Sequence, residues 1–174
     1  MSWVVVWQSA VGVVMLTAGT GKLVAPGSLR PFLIALGLPA PAVRLVGYAL
    51  PVVEIMCGGL LLAGVRPWPA RGALVLSVVF LGTLSVARRA GVSVGCRCFG
   101  ALDSATLTPV ALVRAAALVV LAGWLVAAQW TGAAAPLAPP QVLAGAAAAF
   151  VFLIGSTLLG KVYEFESGRR EVAR

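Results

Sequence analysis

Two cysteines one residue apart give this chain its clearest capacity for chemistry. They lie in the segment Cys96-Arg97-Cys98-Phe99-Gly100, and the chain holds one other cysteine and no histidine. Two neighbouring thiols can exchange electrons as a dithiol/disulfide pair, because a thiolate attacks a disulfide sulfur. Arg97 lies between them, and its positive charge favours the thiolate. The pattern indicates a redox-active pair, against the plainer interpretations of a structural bridge or two small residues in a turn.

The composition excludes most other catalytic sites. Without histidine there is no Ser-His-Asp triad, no Cys-His pair and no histidine-ligated zinc or haem. Three cysteines are too few for a four-thiolate metal site within one chain. We therefore expect no metal, and the one cofactor that we consider is a quinone.

The elements that must position the cysteines are membrane spans. The chain is 61% hydrophobic and 10% charged, whereas soluble domains are about 45–50% apolar and about 25% charged. The net charge of +8 is spread singly between apolar runs, which is typical of residues that flank spans and not of a nucleic-acid-binding stripe. The N-terminus lacks the basic region of a signal peptide, so the first apolar run is expected to remain as a span.

Five apolar runs are long enough to cross a bilayer, which takes about 20 residues. The predicted spans cover residues 3–23, 43–65, 72–87, 109–128 and 141–159. A short interfacial helix is predicted after the first span, with Ser28 as its N-cap, Pro31 in its first turn and Gly37 at its end. The predicted fold is an all-α integral membrane protein: a four-helix transmembrane bundle, a fifth transmembrane helix and the short interfacial helix. Residues 1–160 would form this domain, and 161–174 a mobile charged tail.

Charged residues in or beside the spans are further candidates. Glu54 is the only acid within a predicted span, and an intramembrane carboxylate is a functional candidate by default. It could accept protons, bind a quinone, or be a structural partner for Thr17 or Tyr48. Lys22 ends the first span on the face of the cysteine loop, either as a snorkelling flank residue or as a cation near the redox site. The same two interpretations apply to Arg114.

The third cysteine, Cys57, is expected to lie apart from the pair. It falls about 20 Å along the second span, at 1.5 Å per residue. Disulfide-bonded cysteines have Cα atoms within about 7 Å of each other. Cys57 is therefore interpreted as a small packing residue.

Three segments together resemble a known family. Ala18-Gly19-Thr20-Gly21-Lys22-Leu23 and Pro51-Val52-Val53-Glu54 are similar to segments of the DoxX-like membrane proteins. Within that group, Cys96-Arg97-Cys98-Phe99-Gly100 resembles the Cys-x-Cys-Phe-Gly motif of the MauE family. The resemblance extends through the fifth span.

This resemblance implies a membrane thiol–disulfide redox protein that forms or maintains disulfides of extracytoplasmic proteins with a thioredoxin-like partner. In methylamine utilisation the client is the disulfide-rich subunit of methylamine dehydrogenase. Cys96 and Cys98 would be the catalytic residues of a thiol-disulfide oxidoreductase. The supporting residues would be Arg97, Phe99, Gly100, Glu54 and Lys22. By architecture alone, the bundle is also similar to vitamin K epoxide reductase, in which four helices hold a quinone.

The charge distribution and the implied role predict opposite orientations. The face of the cysteine loop carries Lys22, Arg30, Arg44, Arg88, Arg89, Arg97, Arg114, Lys161, Arg169, Arg170 and Arg174, and the other face carries Arg66 and Arg71. The positive-inside rule then places the cysteines in the cytoplasm. The implied role requires them outside the cell membrane, where disulfides persist, and this second orientation is the one that we adopt.

Two other functions fit parts of the sequence. A non-enzymatic membrane scaffold for a redox enzyme or lipoprotein would keep its function without the thiols. A small transporter would use Glu54 to line a polar path, but the spans carry few other polar groups. Replacing both Cys96 and Cys98 by serine distinguishes the redox protein from the scaffold.

Overall fold

The chain folds into helices only, over the part that the structure describes. The computed structural model describes residues 3–25, 27–92, 108–130 and 139–172. Its helices are α1 (Trp3–Val24), α2 (Arg30–Ala35), α3 (Ala40–Leu62), α4 (Trp68–Arg89), α5 (Pro109–Trp130) and α6 (Pro139–Val172). All except α2 are long and apolar enough to cross a membrane. The predicted all-α membrane fold with five spans is confirmed.

Helix α1 is the central element of the bundle. It packs against α3, α5 and α6, and α4 closes the ring by packing against α3 and α5. About two thirds of the most apolar part of α1 is buried, against about one fifth of that of α3. A helix that is apolar on all sides is buried when its neighbours can surround it. Helices α1, α3, α4 and α5 thus form the four-helix bundle, with α6 against α1.

Glycines bring α1 and α3 into close contact. A Cβ atom at Gly58 would lie 2.7 Å from the carbonyl oxygen of Gly12, and one at Gly19 would lie 2.9 Å from that of Pro51. Within lipid, where the hydrophobic effect does not drive helices together, small residues let backbones approach and gain van der Waals contact. The two contacts fix the antiparallel register of α1 against α3.

The short helix α2 differs from its prediction at its first turn. Leu29 occupies the N-cap position and makes no side-chain cap bond, so the prediction of Ser28 as the cap is wrong. Leu29 is buried in the core, and its packing, rather than a serine cap, sets where the helix begins. Pro31 lies in the first turn, and Gly37 follows the helix with a φ of 79°, as predicted.

Most span boundaries differ from the sequence prediction by one to four residues, and the end of α6 differs by more. Helices α3 and α4 begin three and four residues earlier than the predicted spans at 43 and 72. Each begins with a proline in its first turn, where the missing N–H has no helical partner to lose. Residues 161–172, which we expected to form a mobile tail, continue helix α6.

The core has two clusters: the larger begins at the α2 end of the bundle and extends along α1 to Ala10, and the smaller lies at the opposite end. One cluster joins α2 to the end of α4 and the start of α5 through Phe32, Leu33, Leu84, Ala87 and Ala115, with Val92 packed against it. The other joins the start of α1 to the end of α3 and the start of α4 through Val4, Leu61, Ala70 and Ala73. The residues that flank the cysteine loop therefore lie at the first end.

Candidate functional site

A buried ion pair joins the end of α1 to the middle of α3. The Lys22 ammonium donates to both Glu54 carboxylate oxygens, at Nζ–Oε1 2.8 Å and Nζ–Oε2 2.7 Å. The Lys22 side chain is 4% exposed and the Glu54 side chain 11%. An unpaired charge is costly within a bilayer, so each residue of the pair depends on the other.

The pair forms because both side chains lean towards the N-terminus of their own helix. From the Gly12–Gly58 and Gly19–Pro51 contacts, the Cα atoms of Lys22 and Glu54 are about six residues, or about 9 Å, apart along the axes. In antiparallel helices this lean carries the two side chains towards each other, and it closes that gap. A comparison of Cα depths alone therefore misses the pair.

The structure decides against one sequence interpretation of each residue, snorkelling for Lys22 and the suggested structural partners for Glu54. Lys22 is buried and does not snorkel. Glu54 pairs with Lys22, whereas the suggested partners lie elsewhere: Tyr48 is 68% exposed, and Thr17 donates to the carbonyls of Val13 and Val14 in its own helix. The signal that was available is the presence of one base and one acid in neighbouring apolar spans.

A small cavity adjoins the ion pair between α1, α3, α4 and α5. Its polar lining comes from Lys22, Glu54, Ser77 and Arg114, and the rest is aliphatic or aromatic. The cavity measures about 40 Å³, which admits water but is far smaller than the roughly 300–1,000 Å³ of a pocket for an organic ligand. Arg114 is 4% exposed and so belongs to the bundle interior, not to its flank.

A second buried polar contact links α1 to α3 at the opposite end. The Gln8 side-chain amide donates to the carbonyl oxygen of Leu61 at 2.8 Å. Leu61 lies in the last turn of α3, and its carbonyl oxygen also accepts from the Gly64 N–H at 3.1 Å. Sequence reasoning missed this residue, although a glutamine within the first apolar run was a visible signal.

The cysteine segment lies outside the described residues. This applies to Cys96, Arg97, Cys98, Phe99 and Gly100, whose predicted roles stay predictions. The described ends of their loop are Val92, which packs on the core at the α2 end, and the buried Thr108. Arg114 follows Thr108 by six residues, about 9 Å along α5, so the cavity lies in the half of the bundle to which the loop is attached.

Cys57 lies near the start of α4, not near the end that leads into that loop. It is half-buried and carries a free thiol, and its sulfur would lie 2.9 Å from a Cβ atom at Gly72. Gly72 is in the first turns of α4, and the cysteine loop follows the other end of that helix. The geometry supports the packing role expected for Cys57.

Comparison with known proteins identifies the family. Residues 2–128 match the family described as Methylamine utilisation protein MauE. The match includes α1 to α4, the cysteine segment and nearly all of α5; it ends before α6, to which we had extended the resemblance. No curated protein and no solved structure matches the chain. The chain therefore belongs to the MauE family of methylamine utilisation proteins, as a membrane protein of several spans.

Proposed function

We propose that this protein is a thiol/disulfide redox protein of the cell membrane. Cys96 and Cys98 exchange with a thioredoxin-like partner, and the exchange supports disulfide formation in an extracytoplasmic client. The observation that carries the proposal is the Cys-x-Cys-Phe-Gly segment within the matched family range, between the two helices α4 and α5 that line the charged cavity. Each exchange moves two electrons and two protons, since one disulfide becomes a dithiol while one dithiol becomes a disulfide.

We assign the Lys22–Glu54 pair to the transfer of protons during this exchange. Lys22 carries protons and Glu54 accepts them, and both line a cavity that admits water. The cavity volume of about 40 Å³ favours this role over the binding of a quinone ring, which would require the helices to separate. Arg97, Phe99 and Gly100 are assigned to shaping the loop and favouring the thiolate.

The test is client oxidation in cells that carry the C96S/C98S double variant. We expect loss of client disulfides, with the C57S variant unchanged as the matched control. A double variant that still binds its partner and matures its client fully would establish the scaffold function instead.

Orientation is tested separately with a membrane-impermeant maleimide on intact cells. In the C57S background, labelling only after reduction would support a reducible disulfide on the outer face. Labelling only after the membrane is opened would place the motif in the cytoplasm and overturn the extracytoplasmic role.

A further inference from the structure

A basic crevice lies between α2 and the start of α3, and it shares no lining residue with the cavity beside the Lys22–Glu54 pair. Its lining consists of Gly27, Arg30, Leu33, Val43, Arg44, Gly47 and Tyr48, and its volume is about 530 Å³. Arg30 begins α2, and Arg44 and Tyr48 are four residues apart on one face of α3. The polar groups of this lining are therefore two guanidinium groups and one phenol, which together favour an anion.

These polar groups are available to a ligand. Arg30 and Arg44 are exposed, and Tyr48 is 68% exposed. Within the described residues, none of the three side chains has a hydrogen-bond, ion-pair or ring partner. Guanidinium groups match phosphate oxygens with paired N–H donors. The crevice is thus suited to a phosphate group.

An apolar groove continues from the crevice along the outside of α3. It shares Arg44 and Tyr48 with the crevice and is otherwise lined by Leu45, Ala49, Val52 and Val53, over about 660 Å³. From Arg44 to Val53 the groove extends about 13 Å along the helix at 1.5 Å per residue. Because α3 is a candidate span, the groove faces the hydrocarbon core of the bilayer. Arg30 and Arg44 lie at the end of the span, beside the lipid headgroups.

Because the basic crevice adjoins an apolar groove, we propose that the two together bind one anionic phospholipid. Its phosphate contacts Arg30, Arg44 and the Tyr48 hydroxyl, and one acyl chain follows Leu45, Ala49 and Val52. A free phosphate would use the crevice but not the groove. The apolar groove beside the basic crevice therefore distinguishes this site from a general basic patch.

Two glycines of α3 provide a matched pair of variants. A Cβ atom at Gly47, in the crevice, or at Gly59, outside it, meets no atom within 4 Å. G47L therefore places a larger side chain in the crevice, and G59L adds the same side chain elsewhere on α3. R30Q/R44Q removes the two cations, and R88Q/R89Q removes two exposed cations from the end of α4.

The experiment is native mass spectrometry of the full-length protein in mild detergent, titrated with long-chain phosphatidylglycerol or phosphatidylcholine. We expect one retained phosphatidylglycerol, binding about tenfold or more weaker in R30Q/R44Q and in G47L, and unchanged binding in G59L and R88Q/R89Q. Equal retention of phosphatidylcholine, or an equal loss in R88Q/R89Q, would overturn the site. Equal binding of inorganic phosphate or of short-chain phosphatidylglycerol would show that the groove holds no acyl chain and would overturn the lipid assignment.

Discussion

At the scale of single residues, the Lys22–Glu54 pair has a structural role and a proposed chemical role, which experiments can separate. It joins α1 to α3, and it places a proton donor and a proton acceptor beside a cavity. A buried ion pair adds little net stability over apolar residues of the same size, but loss of one partner leaves a charge without compensation. Stability and chemistry therefore respond differently to single and double replacement.

The stability of the pair is tested by a double-mutant cycle. K22M and E54L should each lower the free energy of unfolding by about 3 kcal/mol, because each leaves an unpaired buried charge. The K22M/E54L double variant should recover most of that loss. Thermal unfolding in detergent measures the natural protein, the two single variants and the double variant. If the two losses of unfolding free energy simply add in the double variant, the ion pair is contradicted.

The chemical role is tested on the same variants by turnover. If Glu54 exchanges protons with the thiols, E54Q should slow disulfide exchange about a hundredfold, which is within the usual contribution of a general acid or base. The K22M/E54L variant should be stable yet equally slow. If the K22M/E54L variant regained turnover together with stability, the pair would be only structural. Maleimide reaction at Cys96 and Cys98 serves as the control for loop integrity.

The sequence identified both members of this pair but not their contact. Glu54 and Lys22 stood out because charges are rare in apolar spans. Their contact depends on the register of α1 against α3, which the glycines set, and on the direction in which each side chain leans. Neither quantity follows from hydropathy. Arg114 was recognised as ambiguous, and its burial depends on the same packing.

At the scale of elements, the seam between α1 and α3 depends on residues without side chains. Sequence patterns predicted the existence of the spans well, because spans follow from apolar length. The predicted starts at 43 and 72 overlooked Pro41 and Pro69, which lie in the first turns of α3 and α4. The closeness of the helices was less visible, because the chain has 20 glycines and only some of them lie at a contact.

Adjacent glycines in α3 allow this closeness to be tested. G58A should lower the free energy of unfolding by about 1–3 kcal/mol, since its Cβ atom would lie 2.7 Å from the Gly12 carbonyl oxygen. G59A should be neutral or slightly stabilising, because its Cβ atom meets nothing within 4 Å and alanine favours helix. Thermal unfolding compares the two variants, and an equal effect would rule out a tight seam at Gly58.

At the scale of the whole molecule, the two ends of α4 should lie on opposite sides of the membrane. Ala63 and Ala90 are both exposed and lie just before and just after this span. In a background without native cysteines, we expect A63C and A90C to react with an impermeant maleimide from opposite sides. Labelling of both from one side would contradict the five-span fold.

Burial also changes the charge count that bears on orientation. Lys22 and Arg114 lie inside the bundle, so they are not flanking residues of the folded protein. The cations outside the bundle core still outnumber those of the opposite end: Arg30, Arg44, Arg88 and Arg89 against Arg66 and Arg71. The proposed lipid site engages Arg30 and Arg44. The sequence could not separate buried from flanking cations, because both follow apolar runs.

The central position of α1 has a consequence for biosynthesis. A ribosome makes α1 first among these helices, whereas its neighbours α3 and α6 follow later along the chain. Gly145 lies in α6, the last of these helices to be made, and it fits tightly against Ser9 and Val6. Until α3 enters the membrane, the Lys22 ammonium has no counter-ion, and it must wait near the lipid headgroups. The contact between α6 and α1 can therefore form only after all the other helices of the bundle have been made.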